Sequence, residues 1–294
     1  MKRESKQDQI FNIINIIIML FMVVICVYPI LYVVFASFSD ASELMKHNGL
    51  LWHSLGFSTA AYNEVLHNKM ILVSYRNTLF YVVVGTLINL ALTTIGAYVL
   101  SRQDVKIKKF LNVMVVITMF FSGGIIPLYL SLRSYHMLDT VWALMLPTAI
   151  STYNMIVMRT SISALPRSLE ESAVIDGAGE FGILTKIIIP LSKPVIAVMV
   201  LFYGVGHWNA WFHAAMFIKK RDLYPLQLYL REILINSSTD SMMTSNAGAG
   251  VDRIAISETI KYSAIVVSTL PILCIYPFLQ KYFVKGVMVG ALKG

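Results

Sequence analysis

Long apolar stretches constrain this chain more than any other feature of its sequence. Hydrophobic residues make up 57% of its 294 residues and charged residues only 14%, which is more apolar surface than a water-soluble core can bury. A helix needs roughly 20 largely apolar residues to cross a bilayer. Six such stretches occur: Phe11–Ala36, Thr78–Leu100, Phe110–Leu132, Val141–Met158, Val195–Phe217 and Ile260–Phe283. The sequence therefore predicts an all-α, polytopic membrane protein with six transmembrane helices.

The placement of Lys and Arg predicts the orientation of these helices. Six spans put both termini on one side, together with the links 101–109 and 159–193. This side holds 14 of the 24 Lys and Arg residues, although it contains fewer loop residues than the other side. The positive-inside rule makes it the cytoplasmic side. The net charge of +8 is then explained by topology and by contact with lipid headgroups, and nucleic acid is not expected as a partner.

The second outer loop, residues 218–258, contains a further helical pattern. Leu226 and Leu230 stand at helical spacing after Pro225, which predicts a short surface helix. A flexible stretch is expected over residues 237–250.

The segment 165–194, between the fourth and fifth spans, carries the most informative pattern, and we refer to it as the 165–194 loop. Ser168 and Glu171 have the S-x-x-E spacing of a capping box, which predicts a helix that begins at Ser168 and is held there by Glu171. The helix should end near Asp176, because Gly177 and Gly179 can adopt the left-handed geometry that closes a helix. The adjacent Glu170 is explained by the helix dipole.

A second short helix is expected over residues 180–189, with Pro190 as its stop. Its apolar face is expected to consist of Phe181, Leu184, Ile187 and Ile188. The two helices and the glycine corner would project from the membrane into the cytoplasm. The alternative is an ordinary linker that contains an interfacial amphipathic helix.

Spacing within this loop resembles a known coupling signature. The residues concerned are Glu171, Ser172, Ala173, Asp176, Gly177, Ala178 and Pro190. Gly177 is six residues after Glu171, and Pro190 is nineteen after it. The permeases of binding-protein-dependent ABC importers have a similar pattern of Glu-Ala-Ala, Gly and Leu-Pro or Ile-Pro at these distances, and Ser172 is a small-for-small departure. The resemblance implies that these residues couple the chain to a separate ATPase.

The resemblance covers the chain from about Ile71 to Gly294. It is closest to the carbohydrate class, in particular to the shorter maltose-importer permease. The stretches Phe121–Leu130, Asn209–Ala214 and Tyr224–Leu234 look like the subgroup that imports complex oligosaccharides, including plant cell-wall and uronic-acid-bearing ones. The resemblance thus implies the fold of a type I ABC importer permease.

This resemblance also implies a division of the chain. Residues 1–70 would form an amino-terminal tail, first helix and outer loop. Residues 71–283 would form the ABC importer transmembrane domain, with the coupling loop at 165–194, and residues 284–294 a cytoplasmic tail.

The partners that the resemblance implies are a homologous second permease, two copies of an ABC ATPase, an extracytoplasmic solute-binding protein, the sugar and membrane lipid. The chain would lie in the bacterial cytoplasmic (inner) membrane. Two other interpretations stay open: an ABC permease for a non-sugar solute, and an ion-coupled secondary carrier. The second of these leaves the spacing from Glu171 to Pro190 unexplained.

Catalytic chemistry is expected in another subunit. A phosphate-binding P-loop needs Gly-Lys followed by Ser or Thr, and the chain has no Gly-Lys dipeptide. His207 and His213 are six residues apart on a predicted helix, which puts them on different faces and argues against a shared metal. We therefore expect a non-catalytic transport subunit without cofactor or metal, with ATP and magnesium bound by the ATPase.

Candidates for the substrate path are polar or aromatic side chains within or beside the spans, because polar groups inside a membrane generally line a cavity. They are Tyr129, Tyr153, Asn154, Trp208, Asn209 and Trp211. For each aromatic residue the alternative is the interfacial belt, where Trp and Tyr are enriched. Arg133 and His136 would suit either an anionic saccharide or an acidic binding protein.

Overall fold

The structure, a computed structural model, describes residues 6–243, 259–275 and 277. Regular structure in these residues is helical, and none of them forms a strand. The α-helices are α1 (Lys6–Ser37), α2 (Ala41–Lys46), α3 (Ala60–His67), α4 (Lys69–Ser101), α5 (Lys108–Phe120), α6 (Ile125–Ser134), α7 (Trp142–Met145), α8 (Thr152–Ser163), α9 (Arg167–Ile175), α10 (Glu180–Ile183), α11 (Ile189–Leu191), α12 (Lys193–Trp208), α13 (Phe212–Phe217), α14 (Leu226–Met243) and α15 (Thr259–Ile275). The expected helical, polytopic architecture is confirmed.

The first of two compact units consists of residues 1–68 and 230–270. Within it α1 runs for 32 residues, and the apolar side chains over most of its length are exposed, as expected of a helix that meets lipid. Near its end the Tyr28 hydroxyl accepts a hydrogen bond from the Leu51 amide at 2.9 Å. The predicted first span, Phe11–Ala36, lies wholly inside α1.

The second unit consists of residues 69–229 and 271–294, and α4 is its central helix. Both α8 and α12 pack along α4. One buried apolar cluster lies towards the Ser101 end and includes Ala97, Met158, Ile183, Ile188 and Met199. A second cluster lies towards the other end and includes Tyr81, Leu132, Ala143 and Phe217. The 33-residue helix α4 therefore connects the two ends of this unit.

Three of the predicted spans are interrupted. Helices α5 and α6 meet at 112°, where Gly124 adopts φ +82°, a conformation that glycine takes without steric cost. The fourth predicted span is divided at residues 146–151. The fifth is divided at residues 209–211, between the end of α12 at Trp208 and the start of α13 at Phe212. Among the described residues, α1 and α4 are long and apolar enough to span a membrane, as are two bent helix pairs if each counts as one span. The count of six therefore stays a prediction.

The surface helix predicted after Pro225 is confirmed as α14, which continues to Met243. The first part of the supposedly flexible stretch 237–250 is therefore helical, and residues 244–250 lie outside the described residues. Apart from Pro277, so do the end of the predicted sixth span and the tail 284–294. The division into domains proposed from the resemblance stays a prediction.

Candidate functional site

The first helix of the 165–194 loop starts one residue earlier than the capping-box pattern predicts. Pro166 occupies the N-cap position and Arg167 is the first helical residue, so Ser168 lies inside the helix. No side chain caps this helix start, and the Ser168 carbonyl accepts a hydrogen bond from the Ser172 hydroxyl at 2.8 Å. The predicted capping box is therefore wrong. The Glu171 side chain is exposed and does not hold the helix start.

The corner after this helix confirms the prediction for Gly177. Asp176 is the C-cap of α9, and Gly177 takes φ +79°. The Gly177 amide donates to the Val174 carbonyl at 3.0 Å, and the Ala178 amide donates to the Ala173 carbonyl at 2.9 Å. These two bonds are the Schellman motif, which satisfies the last carbonyls of a helix and fixes the direction of the chain after it.

Ala173, Ala178 and Gly179 of the loop do not share the left-handed conformation of Gly177. Ala173 is buried, and Ala178 packs half-buried on the same apolar cluster. These small side chains therefore let the loop pack closely on the apolar cluster that it shares with α4, α8 and α12. Gly179 has φ −75°, which any residue can adopt, so it takes no part in the left-handed corner.

The second arm of the loop runs further than predicted. It consists of α10, a π-helical turn over Leu184–Ile188, and α11, and it bends by 83° into α12. Pro190 lies inside the arm, which ends at Leu191, so the predicted stop at Pro190 is wrong. The π turn, in which the Ile189 amide donates to the Leu184 carbonyl, precedes the proline and provides the local irregularity that a proline ring requires.

The apolar face of this arm also differs from the prediction. Ile183, Leu184 and Ile188 are buried and Ile187 packs against the same cluster, whereas Phe181 is 78% exposed. Leu184, Ile187 and Ile188 are thus confirmed on the inward face, and Ile183 lies there in place of Phe181.

One arginine, which the sequence analysis did not select, joins both arms of the loop to the end of α4. Arg102 Nη1 lies 2.9 Å from Glu170 of α9, and Nη2 lies 2.8 Å from Glu180 at the start of α10. Asp104 accepts from both Nε and Nη2 at 3.1 Å. The Tyr98 hydroxyl donates to the other carboxylate oxygen of Glu180 at 2.5 Å. We call these five side chains the Arg102 cluster.

The charges of the Arg102 cluster reinforce one another. Hydrogen bonds with Asp104 raise the pKa of Arg102 above its ordinary value, and the same bonds lower the pKa of Asp104. Glu170, explained from sequence by the helix dipole, has Arg102 as its partner. Its side chain is 20% exposed and that of Arg102 is 16% exposed, so this pair is partly shielded from water.

The loop also presents apolar and charged surface. Val174, Ile175 and Phe181 are exposed although they are apolar, Ile175 by 85%. A cavity of about 480 Å³ lies between the end of α4 and α9, and Arg102, Gln103, Asp104, Arg167, Glu170 and Glu171 are among the residues that line it. This combination is typical of a surface that meets a protein partner.

A second group of polar contacts lies within the apolar part of the unit, at residues 146–151 between α7 and α8, which we call the 146–151 break. The Asn89 side chain of α4 donates to the Thr148 carbonyl at 2.6 Å and to the Ala149 carbonyl at 2.9 Å. Backbone groups that leave a helix at membrane depth need such partners, because lipid offers none. Asn89 is fully buried.

His207 of α12 completes this arrangement. Its Nε2 lies 2.7 Å from Asn89 Oδ1, and because the Asn89 nitrogen is the donor to the carbonyls, His207 donates to the amide oxygen. A Cβ atom at Gly85 of α4 would lie 2.5 Å from His207 Nε2. Glycine at position 85 is therefore what lets the imidazole lie against α4.

Tyr203 of α12 supports the other end of the 146–151 break. Its hydroxyl lies 2.7 Å from Thr93 Oγ1 of α4 and accepts from the Ser151 amide at 3.2 Å. Three elements therefore meet through neutral hydrogen bonds: α4, the break, and α12. Polar residues inside predicted spans, Asn89 above all, were the sequence signal for this group.

The six candidates for the substrate path do not form one lining surface. Asn154 is buried on α8 while its neighbour Tyr153 is exposed. Trp208 is buried edge-to-face against Tyr75, with ring centroids 5.8 Å apart. The exposed Asn209 donates to the Val205 carbonyl of its own helix. The other two contact aromatic neighbours: Tyr129 lies near Phe217, and Trp211 near Phe212. Their role in transport stays a prediction.

The two histidines have separate surroundings. His207 contacts Asn89, as described above, whereas the His213 ring stacks on Phe217 with centroids 5.4 Å apart. In the described part of the chain no three His, Cys, Asp or Glu side chains are grouped as metal ligands would be.

Comparison with known proteins identifies the family. A family model described as "binding-protein-dependent transport system inner membrane component" matches residues 1–289. Two relatives come from Bacillus subtilis (strain 168). Protein LplC is 41% identical over 261 residues, which are 89% of this chain and 87% of LplC. The polygalacturonan/rhamnogalacturonan transport system permease protein YtcP is 40% identical over 261 residues, 89% of this chain and 90% of YtcP.

A solved structure is similar over nearly the whole chain. It is the crystal structure of a bacterial ABC transporter involved in the import of the acidic polysaccharide alginate. One of its chains superposes with a TM-score of 0.86 at 30% sequence identity, and the superposition covers 96% of this chain and 100% of that one.

Proposed function

Because the chain belongs to the family of binding-protein-dependent transport system inner membrane components, we propose that it is one permease half of an ATP-driven oligosaccharide importer. A homologous second permease, two ATPase subunits and an extracytoplasmic binding protein would complete the importer. ATP and magnesium would bind the ATPase, so this chain would carry no catalytic site. Both termini and the 165–194 loop would face the cytoplasm, as the distribution of Lys and Arg predicts.

The shape of the 165–194 loop carries this proposal. Two helical arms meet at the Schellman corner of Gly177, and Val174, Ile175 and Phe181 stand exposed beside it. A stiff element with apolar side chains at its tip can seat in a groove of a partner and transmit a rigid-body movement, whereas a flexible loop would absorb it. Glu171 and Ser172, both exposed, lie on the part that would meet the ATPase.

Relatives support an oligosaccharide as cargo. YtcP is named for polygalacturonan and rhamnogalacturonan transport, and the similar solved structure imports alginate, an acidic polysaccharide. We therefore propose that uronic-acid-bearing oligosaccharides are the first class to test, with neutral oligosaccharides as the comparison.

The test is reconstitution of the chain in lipid discs with its co-expressed companion permease and ATPase. ATP hydrolysis is measured with binding protein loaded with either sugar class. Stimulation by one class supports the proposal and identifies the cargo. If no ATPase co-purifies and transport follows an ion gradient, the chain is a secondary carrier and the proposal is wrong.

Two glycines provide a matched test of the loop. Neither Gly177 nor Gly179 has an atom within 4 Å of the position that a Cβ would take, and only Gly177 has a positive φ. Gly177→Val should therefore strain the corner without a clash and lower the stimulated ATPase rate. Gly179→Val should retain most of it, and equal losses would count against coupling through this corner.

A further inference from the structure

The Arg102 cluster stands at the junction of three segments of the chain. Arg102 directly follows α4, Glu170 belongs to the first arm of the 165–194 loop, and Glu180 begins the second arm. The two arms are separated by the Gly177 corner. A single guanidinium therefore holds both arms of the loop to the end of one long helix.

The Arg102–Glu170 pair is shielded from water, unlike an ordinary surface ion pair, whereas the Asp104 and Glu180 side chains are 66% and 61% exposed. Exposed pairs contribute little, because water and side-chain entropy offset the attraction. The Arg102 side chain is only 16% exposed and meets three carboxylates, with Asp104 placed across its Nε and Nη2 edge. Tyr98, one turn earlier on α4, binds Glu180 as well. Such a network has the directionality that a planar, five-donor group provides and an ammonium does not.

Further from its Ser101 end, α4 runs through the interior of the unit. Asn89 and Thr93 of α4 bind the 146–151 break and Tyr203 of α12. These short hydrogen bonds are the contacts through which a displacement of the Ser101 end of α4 would reach the break and α12. Without the Arg102 cluster, the first arm is joined to α8 and the second arm to α12 by the chain itself, and only the apolar face holds the arms to α4. Apolar contacts lack directionality.

We propose that Arg102 is a positioning residue for coupling: it fixes both arms of the 165–194 loop to α4, so that a movement imposed on the loop reaches the 146–151 break and α12. This inference rests on the proposed function of the loop as the ATPase contact. Arg102 would act through Glu170 and Glu180 and would itself touch neither ATP nor sugar.

The experiment uses the complete importer in lipid discs, with sugar transported per ATP hydrolysed as the principal measurement. Arg102→Gln removes the charge and the fork. Lys106→Gln removes a charge from an exposed lysine four residues further along the same link, and it is the matched control. Arg102→Lys keeps the charge and loses the fork.

Arg102→Gln should lower the sugar transported per ATP by about 2- to 30-fold, the range seen when residues that carry coupling are altered. ATPase subunits should still co-purify, because Ile183, Leu184 and Ile188 keep the loop folded on its cluster. Arg102→Lys should recover only part of the loss, and Lys106→Gln should match the wild type.

Two further variants protect the test against a folding defect in Arg102→Gln. Tyr98→Phe removes only the hydroxyl that binds Glu180 and should reduce coupling in the same direction by a smaller factor. The double variant Arg102→Gln with Glu170→Gln should be no worse than Arg102→Gln alone, since residues that act as a unit are not additive.

A distance measurement tests positioning directly. Spin labels at Gln103 and Ser168, both exposed, are introduced after Cys26 and Cys274 are changed to Ser. The distance distribution between the labels should broaden in Arg102→Gln and stay narrow in Lys106→Gln.

The inference is overturned if Arg102→Gln keeps both the wild-type transport per ATP and the narrow distance distribution. It is also overturned if Arg102→Gln and Lys106→Gln lose coupling equally. Failure of the proposed function is recognised separately, because the wild-type importer itself would then show no sugar-stimulated ATP hydrolysis.

Discussion

The 165–194 loop and the 146–151 break are both places where the chain leaves a regular helix, yet different chemistry holds them. Arg102, outside the loop, holds it through Glu170 and Glu180 and also binds Asp104, at 2.8–3.1 Å. At the break, Asn89 and Tyr203 bind backbone groups through neutral hydrogen bonds. Charged groups hold the element beside water, and uncharged groups hold the element among apolar side chains.

This difference follows from the cost of removing each kind of group from water. A charge buried in an apolar environment is expensive unless it is paired, whereas an amide needs only its hydrogen bonds. An ionic cluster also stays partly hydrated, so the loop that it holds can move as one body beside water, while backbone carbonyls in the break have no alternative partner. The loop is thus suited to movement and the break to keeping its geometry.

The largest effect is expected at the break. Asn89→Leu would leave the Thr148 and Ala149 carbonyls and the His207 imidazole without their partner. We expect the free energy of unfolding to fall by about 3 kcal/mol or more, since each buried polar group left unpaired costs about 1–3 kcal/mol. Thermal unfolding in lipid discs measures this loss.

Asn209→Leu is the control for that variant, because Asn209 is exposed and bonds only its own helix. If both variants lower the unfolding temperature equally, Asn89 does not support the break in the way described.

An intermediate loss of stability is expected when Gly85 of α4 is replaced by alanine, and Gly96 of the same helix provides the comparison. A Cβ at Gly85 would lie 2.5 Å from the ring nitrogen of His207, whereas one at Gly96 would lie 2.8 Å from the sulfur of Met155. The imidazole is held by Asn89, but a thioether can move to another rotamer. Gly85→Ala should therefore destabilise the protein by about 1–3 kcal/mol.

Gly96→Ala should be close to neutral, because the higher helix propensity of alanine, worth up to about 1 kcal/mol, offsets the small adjustment of Met155. Thermal unfolding of the two variants side by side decides the point. A Gly96→Ala variant that is the less stable of the two would contradict the rigid placement of His207.

The smallest effect is expected from acid and should be confined to the Arg102 cluster and the arms that it holds. The pKa of Asp104 is below its usual 3.8 in the folded protein because Arg102 binds it. Its stabilising contribution is complete above pH 3.8 and is lost as the pH falls through the lower folded value. Between pH 6 and pH 3, hydrogen exchange corrected for intrinsic rate should accelerate in α9. A larger acceleration in the 146–151 break than in α9 would reverse the comparison.

Local features of the sequence predicted much of this architecture. The apolar stretches predicted where the helices lie, and Gly177 predicted the corner, because a left-handed residue at a helix end needs no distant partner. The capping box failed since Pro166, two residues before Ser168, already occupies the N-cap position. Phe181 was assigned to the inward face from helical spacing, whereas Ile183 takes that position in the structure.

What the sequence by itself determined is therefore the helical membrane class, the approximate positions of the apolar helices and the signature of the 165–194 loop, all of which depend on residues close together along the chain. Tertiary structure alone decided the partners of Arg102 and Asn89. Arg102 meets Glu170 across 68 residues, and Asn89 meets His207 across 118. No local pattern of hydrophobicity or spacing contains such pairs, because they exist only once α4 packs against the loop and α12.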